Sequence, residues 1–212
     1  MITNYIYDFD GVIINSHLVQ EKALEESYKM VGLQGNPPYD AFFRLSGNSL
    51  SNIFKHLDLP QEMVPIYRKI SRENIDLITL HQGMEEVLKQ IKQSGFGCSL
   101  CTGKDRYRTL EILQYFHLEK YFDRIVCSDD VEHPKPHPES LLKIMKELNW
   151  SANSTCMIGD GVNDILAAKN AGISSIAVTW GDVSENILAE QEPSILVRNS
   201  AELLRFIKGE RI

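Results

Sequence analysis

Short apolar runs alternate with helix-like segments along most of the chain. Five runs rich in β-branched and aromatic residues each end in a turn-rich stretch, which predicts buried strands at 5–9, 96–101, 124–127, 155–158 and 173–178. Apolar residues recur at spacings of three and four over 84–94, 106–116, 138–148 and 162–171, which predicts helices. The tail, PSILVRN followed by AELLRFIKG, predicts an edge strand and a closing helix. This alternation predicts an α/β fold, a Rossmann-like doubly wound parallel sheet with helices on both faces.

Residues 16–79 break this alternation directly after the first strand. The block shows helical patterns at 18–31, 50–57 and 63–77 and no convincing buried strand, with the loop-rich PPYDAFFRLSGNS between them. We interpret it as a small α-helical cap domain of residues 16–79 inserted into a sheet domain of residues 1–15 and 80–212. Hinges are expected near Asn15 and Thr79.

Composition narrows the kind of partner. The chain has 212 residues, 43% of them hydrophobic, and 22 Lys and Arg against 29 Asp and Glu, for a formal charge of -7. An acidic balance argues against binding nucleic acid or anionic lipid and favours a small-molecule partner. Without a long apolar run or a signal-like amino terminus, we expect a soluble cytoplasmic protein and no membrane association.

The cysteines and histidines are interpreted mainly as structural. Cys98, Cys101, Cys127 and Cys156 lie in strand-like runs, where side chains three apart face opposite ways, so the CxxC predicts core thiols in a reducing compartment better than a redox or zinc pair. His133 and His137 flank a proline-rich loop with no carboxylate or thiol apparent beside them, which disfavours a metal pair.

Polar residues follow each predicted strand and would meet at one edge of a parallel sheet. They are Asp8, Asp10 and Gly11; Thr102, Gly103 and Lys104; Ser128, Asp129 and Lys135; and Asp160, Gly161, Asn163 and Asp164. Several carboxylates in one partly dry crevice repel one another unless a cation lies among them. Mg²⁺ prefers oxygen ligands and phosphate, so the pattern predicts a magnesium site.

The other residues at these strand ends suit a phosphoryl group. Thr102 can donate its hydroxyl, Gly103 allows close approach of a backbone N–H, and Lys135 supplies a positive charge between two prolines. Since no Cys or His is expected in the crevice to attack phosphorus, the nucleophile would be a carboxylate, giving an aspartyl-phosphate intermediate.

Four motifs in order resemble those of the haloacid dehalogenase-like hydrolase superfamily. They are DFDG at 8–11, TG at 102–103, KPHP at 135–138 and GDGVND at 159–164, and they span most of the chain. The inserted block is similar to the small helical cap of its phosphoglycolate phosphatase and β-phosphoglucomutase-like branch. Two departures, Asn15 where an acid is frequent and TGK where an Asn is common, leave the subfamily open.

The resemblance implies a role for each motif residue. Asp8 would be the nucleophile and a Mg²⁺ ligand, and Asp10 the general acid/base whose backbone carbonyl also reaches the metal. Thr102 and Lys135 would bind the phosphoryl group, Asp160 would be a metal ligand, and Asp164 a further ligand or supporting acid. Family members that cleave carbon–halogen bonds lack the second acid, so Asp10 favours phosphate chemistry.

Some of these residues have simpler explanations. Asp10 and Asp160 could each cap a helix, although capping explains neither Thr102 nor Lys135. For Lys104, a solvated lysine at a helix start competes with a phosphate contact. Arg44, Asn48 and Ser49 form a candidate substrate-selecting loop around Gly47, for which a plain surface turn is the alternative. Gly11 and Gly103 are predicted to lie against the substrate.

Three functions follow from these residues. The first is a Mg²⁺-dependent phosphatase for a small phosphorylated metabolite, such as a sugar phosphate or a phosphoglycolate-like acid, acting as a monomer or weak dimer. The second is a phosphomutase of the β-phosphoglucomutase type, although Gln20 stands where those enzymes carry a histidine and His17 lies one turn away. The third is a non-catalytic metabolite-binding protein on the same fold.

Overall fold

The computed structural model describes residues 1–210 and contains a six-stranded parallel sheet. In chain order the strands are β1 (Asn4–Tyr7), β2 (Ile14–Asn15), β3 (Thr79–Leu80), β4 (Gly97–Cys101), β5 (Arg124–Val126), β6 (Thr155–Gly159), β7 (Ser174–Val178) and β8 (Ile195–Val197). The six-stranded sheet has the order β5-β4-β1-β6-β7-β8, and every neighbouring pair is parallel. The predicted doubly wound α/β fold is confirmed, with β8 at the predicted edge.

The helices account for the rest of the regular structure. They are α1 (His17–Met30), α2 (Tyr39–Arg44), α3 (Leu50–His56), α4 (Met63–Glu73), α5 (Met84–Gln93), α6 (Arg106–Tyr115), α7 (Glu139–Leu148), α8 (Val162–Ala171), α9 (Glu185–Glu190) and α10 (Ser200–Ile207). In the sheet domain, the sequence pattern predicted helices at the positions of α5, α6, α7, α8 and α10. Helix α9 lies in a stretch without a predicted helix.

Helices cover both faces of the sheet. Tyr5 and Cys98 belong to a core formed with α5, α6 and α10, whereas Ile6 and Cys101 belong to a core formed with α7 and α8. The opposite placement of Cys98 and Cys101 follows from the two-residue period of a strand. All four cysteines are buried and free, so the CxxC is part of the core, as the pattern predicts.

Residues 17–77 form a helical insertion with an apolar core of its own. Leu24 of α1, Phe42 of α2, Phe54 of α3 and Tyr67 of α4 meet in one buried cluster. Two details differ from the predictions: α2 lies within the interval expected to be a loop, and α4 ends at Glu73, before a short 3-10 helix at Ile75–Leu77. None of the helices within residues 1–210 has both the length and the apolar character needed to cross a bilayer.

The two expected hinges are paired with each other. Strands β2 and β3 form an antiparallel ribbon in which Ile14 faces Leu80 and Asn15 faces Thr79. Thr79 is exposed, so this short ribbon does not contradict the prediction that residues 16–79 lack a buried strand. The boundary of a cap domain at residues 16–79 stays a prediction.

Candidate functional site

Side chains from the ends of three central strands are buried together at the carboxyl edge of the sheet. Asp8 follows β1, Thr102 follows β4 and Asp160 follows β6, and all three are buried. The strand hydrogen bonds hold them there: the Asp8 N–H donates to the Ile158 carbonyl at 2.8 Å. The order of the strands thus brings distant parts of the chain into one crevice.

Lys135 lies among buried carboxylates at the bottom of this crevice. Its Nζ is 2.9 Å from Asp8 Oδ1 and 2.5 Å from Asp164 Oδ1, and it donates to the Cys101 carbonyl at 3.1 Å. The lysine is 2% exposed, so solvent does not screen these contacts. One cation therefore stands against two carboxylates, and Asp160 adds a third.

Oxygens of Asp8, Asp160 and Asp164 lie within 4.8 Å of one another, a spacing that suits a divalent cation. Burial raises the pKa of Asp8 to about 7, with Lys135 opposing the rise and Asp164 adding to it. Burial, with repulsion from Asp8 and Asp164, holds the pKa of Asp160 well above its usual range. Within residues 1–210, the buried Asp160 Oδ1 has no hydrogen-bond partner. Excess negative charge and an unpartnered oxygen fit the predicted Mg²⁺.

The raised pKa of Asp8 predicts how stability of the metal-free protein depends on pH. A carboxyl whose pKa is higher in the folded state stabilises that state below its unfolded pKa, about 3.9, and loses this contribution as pH rises through the folded value. We expect the thermal midpoint measured in EDTA to fall between pH 5 and pH 8, relative to Asp8→Asn. Saturating Mg²⁺ should reduce this fall, whereas equal slopes for the two proteins would contradict it.

Asp10 is partly buried and contacts side chains other than the three buried acids. Its Oδ1 accepts from the Ser16 hydroxyl at 2.5 Å and lies 3.1 Å from Lys104 Nζ. Gln20 Nε2 donates to Ser16 Oγ at 2.6 Å, which fixes the hydroxyl toward the carboxylate. The Asp10 carboxylate lies outside the group formed by Asp8, Asp160 and Asp164, and the metal contact predicted for its backbone carbonyl stays a prediction.

The Lys104 side chain is buried in the crevice, with 8% of it exposed. The alternative of a solvated lysine is therefore wrong, because the ion pair with Asp10 draws the chain inward. Burial lowers the pKa of Lys104, although Asp10 opposes that effect.

Gly11 lies beside Asp160 and is absent from the crevice lining that contains Asp8 and Asp10. Its φ is +73°, and a Cβ there would fall 2.1 Å from Asp160 Oδ2. The glycine is required for this close packing, and the substrate contact predicted for Gly11 stays a prediction.

A loop of the helical insertion covers the crevice. Asn163 Nδ2 donates to the Ser46 carbonyl at 3.0 Å, joining the start of α8 to this loop. A Cβ at Gly103 would lie 2.3 Å from the Asn48 carbonyl oxygen, so glycine allows the loop to approach. The loop and the sheet edge thus enclose the site between them.

Gly103→Ala tests this close approach. The added methyl would push the backbone of Asn48 outward, and we expect kcat/KM to fall by about 10²-fold, the effect typical of a misplacement of about 1 Å. The thermal midpoint should change little, since the loop can withdraw. Unchanged kcat/KM would mean that the approach of the loop is dispensable for turnover.

The structure separates the three residues of the predicted selecting loop. Asn48 lines the crevice, whereas Arg44 is exposed and Ser49 accepts from the Asn52 N–H as the N-cap of α3. A substrate contact of Arg44 has no support, because Arg44 is exposed at the end of α2. The N-cap bond leaves the Ser49 O–H free to donate, so the prediction for Ser49 stays open. The prediction for Asn48 stays open.

The histidines of the proline-rich loop do have a carboxylate beside them, contrary to the prediction. His133 Nδ1 lies 3.0 Å from Glu139 Oε2, and His137 Nδ1 lies 4.0 Å from the same oxygen. Glu139 begins α7 two residues after His137, a proximity that the chain numbering could have indicated. Both histidines are exposed.

Several crevice residues escaped the sequence analysis. Tyr67, Arg68 and Arg108 line it, the first two from α4 and the third from α6. Their positions depend on how the insertion packs on the sheet, for which no local signal exists. Arg108 is buried, which is unusual for a charged residue without an acidic partner.

The sequence model of haloacid dehalogenase-like hydrolases matches residues 5–178, which include every strand-end residue described above. The chain belongs to this family. The match extends to its curated relatives: a pyrophosphatase, PpaX, from Halalkalibacterium halodurans is 32% identical over 211 residues, covering 97% of each chain. The chain is therefore a hydrolase, and phosphatase is the activity class that the comparisons support.

Solved structures of other family members share this fold. A hydrolase from Pseudomonas syringae superposes with a TM-score of 0.87 at 20% identity over 98% of both chains. A predicted phosphoglycolate phosphatase from Haemophilus somnus superposes with a TM-score of 0.82 at 21% identity over 97% of both chains. At these identities the likeness establishes the fold alone.

Proposed function

We propose that this hydrolase is a Mg²⁺-dependent phosphatase that acts on a small phosphorylated substrate through an aspartyl-phosphate at Asp8. The observation that carries the proposal is the pairing of two carboxylates in different environments. Asp8 is buried against Lys135, whereas Asp10 is partly buried and contacts Ser16 and Lys104. Two acids with separate surroundings can serve as nucleophile and proton donor.

The chemistry divides into two displacements at phosphorus. An Asp8 oxygen forms a bond to phosphorus as the bond to the leaving oxygen breaks, and Asp10 donates its proton to that oxygen. Asp10 then takes a proton from water as the water oxygen bonds phosphorus and the Asp8 carboxylate departs. Ser16 and Lys104 hold the Asp10 carboxylate in place for both transfers.

The remaining groups stabilise the transferring phosphoryl group. Thr102 Oγ1 accepts from the Lys104 N–H at 3.1 Å, which leaves its own O–H free to donate to a phosphoryl oxygen. Lys135 adds a charge that is already desolvated, so its effect on developing negative charge is strong. Asp8, Asp160 and Asp164 would hold Mg²⁺, which when bound neutralises these acids and polarises the phosphoryl oxygens.

The crevice suits a small substrate. Its cavity volume is about 60 Å³, and the insertion covers it. We propose a phosphorylated metabolite such as a sugar phosphate or a phosphoglycolate-like acid, and the relatives named as pyrophosphatases add inorganic pyrophosphate to the candidates.

A phosphomutase is the second candidate, and the first helix of the insertion disfavours it. Gln20 lines the crevice near Asp10, but His17 points elsewhere: its Nδ1 is 2.7 Å from Asp182 Oδ1 and its ring stacks on Phe43. The amide of Gln20 cannot exchange a proton as an imidazole does, so a step that re-phosphorylates a sugar lacks this helper.

Phosphate release from a panel of sugar phosphates, phosphoglycolate, pyrophosphate and an aryl phosphate tests the proposal. We expect activity that EDTA abolishes and Mg²⁺ restores. Asp10→Asn should reduce kcat by about 10²- to 10⁴-fold, the usual contribution of acid–base catalysis, while Mg²⁺ binding measured by calorimetry persists. Loss of Mg²⁺ binding in this variant would instead make Asp10 chiefly a metal ligand.

The setting and assembly of the enzyme stay predictions. Four reduced, buried cysteines accord with a cytoplasmic location. A monomer or weak dimer is expected, and size-exclusion chromatography with light scattering would measure it.

A further inference from the structure

Arg108 is a buried cation in the crevice with no acidic partner. Arg108 is 5% exposed, and its Nη2 donates to the hydroxyl of Ser71 in α4. Within residues 1–210, no carboxylate oxygen lies within 4.0 Å of this guanidinium. The neighbouring Arg68 differs, since its side chain is 45% exposed and its Nε lies 3.0 Å from Asp105 Oδ2.

A guanidinium in this position is unfavourable until an anion reaches it. Arginine keeps its charge in proteins, and a buried charge without a partner costs several kcal/mol. The group has five N–H donors, and Ser71 accounts for one hydrogen bond. Because Arg108 lines the crevice that also contains Asp8, the missing anion can come from the substrate.

The charges around Arg108 leave it available for a ligand. Asp10 is paired with Lys104, and Asp105 is paired with Arg68, so neither nearby acid compensates it. Arg108 also contributes to the lowered pKa of Lys104, behind burial, which places the two cations in one electrostatic environment. The side of the crevice lined by Arg68, Lys104 and Arg108 therefore carries excess positive charge, whereas the group of Asp8, Asp160 and Asp164 carries excess negative charge.

We propose that Arg108 binds a second anionic group of the substrate, a carboxylate or a second phosphate on the leaving-group side. This inference rests on the proposed phosphatase function and narrows its substrates to esters or anhydrides whose leaving group is itself an anion. The planar guanidinium matches two oxygens of such a group, and Ser71 of the insertion orients it. Arg108 is thus a specificity-determining residue rather than a participant in phosphoryl transfer.

Kinetics with matched leaving groups test the assignment, using phosphoglycolate and pyrophosphate against p-nitrophenyl phosphate and glycerol phosphate, with saturating Mg²⁺. The wild type should favour one of the first two. Arg108→Gln should lower kcat/KM for that substrate by about 10²-fold, because the variant loses a pair of charge-assisted hydrogen bonds. Most of this loss should appear as a higher KM. For the neutral leaving groups the change should stay below about threefold, and Arg108→Lys should recover part of the loss.

Three comparisons separate this role from a structural one. Arg72→Gln removes an exposed arginine of the insertion outside the crevice and should leave both substrate classes unaffected. Ser71→Ala removes the bond to Arg108 but keeps the guanidinium, so discrimination between leaving groups should survive. Equal losses for both classes in Arg108→Gln and Arg108→Lys, or a wild-type preference for neutral leaving groups, would overturn the inference. Hydrolysis unaffected by Asp8→Asn would instead overturn the proposed function.

Discussion

Asp8→Asn should lower kcat for phosphate release by at least about 10⁴-fold, the scale seen when an enzyme loses its nucleophile. An amide oxygen is a poor nucleophile, and no other side chain in the described crevice combines burial beside Lys135 with the position of Asp8. Stability should not suffer, because Asp164 still pairs with Lys135 and one repelling charge is gone. Single-turnover phosphate release and thermal unfolding measure the two effects.

The matched control for this variant is Asp76→Asn, which changes an exposed carboxylate of the insertion. Its kcat and thermal midpoint should equal those of the wild type. If Asp8→Asn retained more than about a tenth of the wild-type kcat, another group would be the one that attacks phosphorus. Even the loss of acid–base assistance alone lowers kcat by more than tenfold, and loss of the nucleophile should lower it further.

Lys135→Met should impair both activity and folding. The methionine preserves length but leaves Asp8 and Asp164 buried without their cation, and breaking a buried pair in this way costs about 3–5 kcal/mol. Loss of the charge on the phosphoryl group should lower kcat by about 10²- to 10³-fold. Urea unfolding at pH 7 should show the loss of stability, and the deficit should shrink at pH 5, because burial raises the pKa of Asp8 to about 7 and a protonated Asp8 needs no cation.

Lys22→Met is the control for Lys135→Met, because it removes a lysine from an exposed ion pair. This lysine forms an exposed pair with Glu26 at 3.2 Å on α1, of the kind usually worth less than about 1 kcal/mol. We expect no measurable change in activity. A similar loss of stability in the two variants would mean that the buried cluster contributes no more than a surface pair.

Long periodic segments made most of the fold predictable. Five strands and the helices between them follow from apolar patterning, because a buried parallel strand needs a continuous apolar run and a covering helix needs one apolar face. The features that were missed are short. Helix α2 has 6 residues and strands β2 and β3 have 2 each, too few to display a period.

The residues of the site also fall into a group that local sequence patterns predict and a group that they do not. Asp8, Thr102, Lys135 and Asp160 were predictable since each belongs to a motif at or near a strand end, and the sheet brings those ends together. The packing of Arg108 against Ser71 depends on the seating of α4 over α6, which only tertiary structure determines. Lys104 shows the limit clearly, because its burial depends on a partner, Asp10, that is distant in the sequence.

The β2–β3 ribbon makes the helical insertion a candidate for excision. Since Asn15 and Thr79 stand opposite each other as paired strand neighbours, the gap left by removing residues 16–78 is about 5 Å wide. A tight turn of two residues can span that distance and turn the ribbon into a hairpin. The same junction would accept a foreign lobe, so chimaeras joined there could exchange ligand preference while retaining the parent's reaction chemistry.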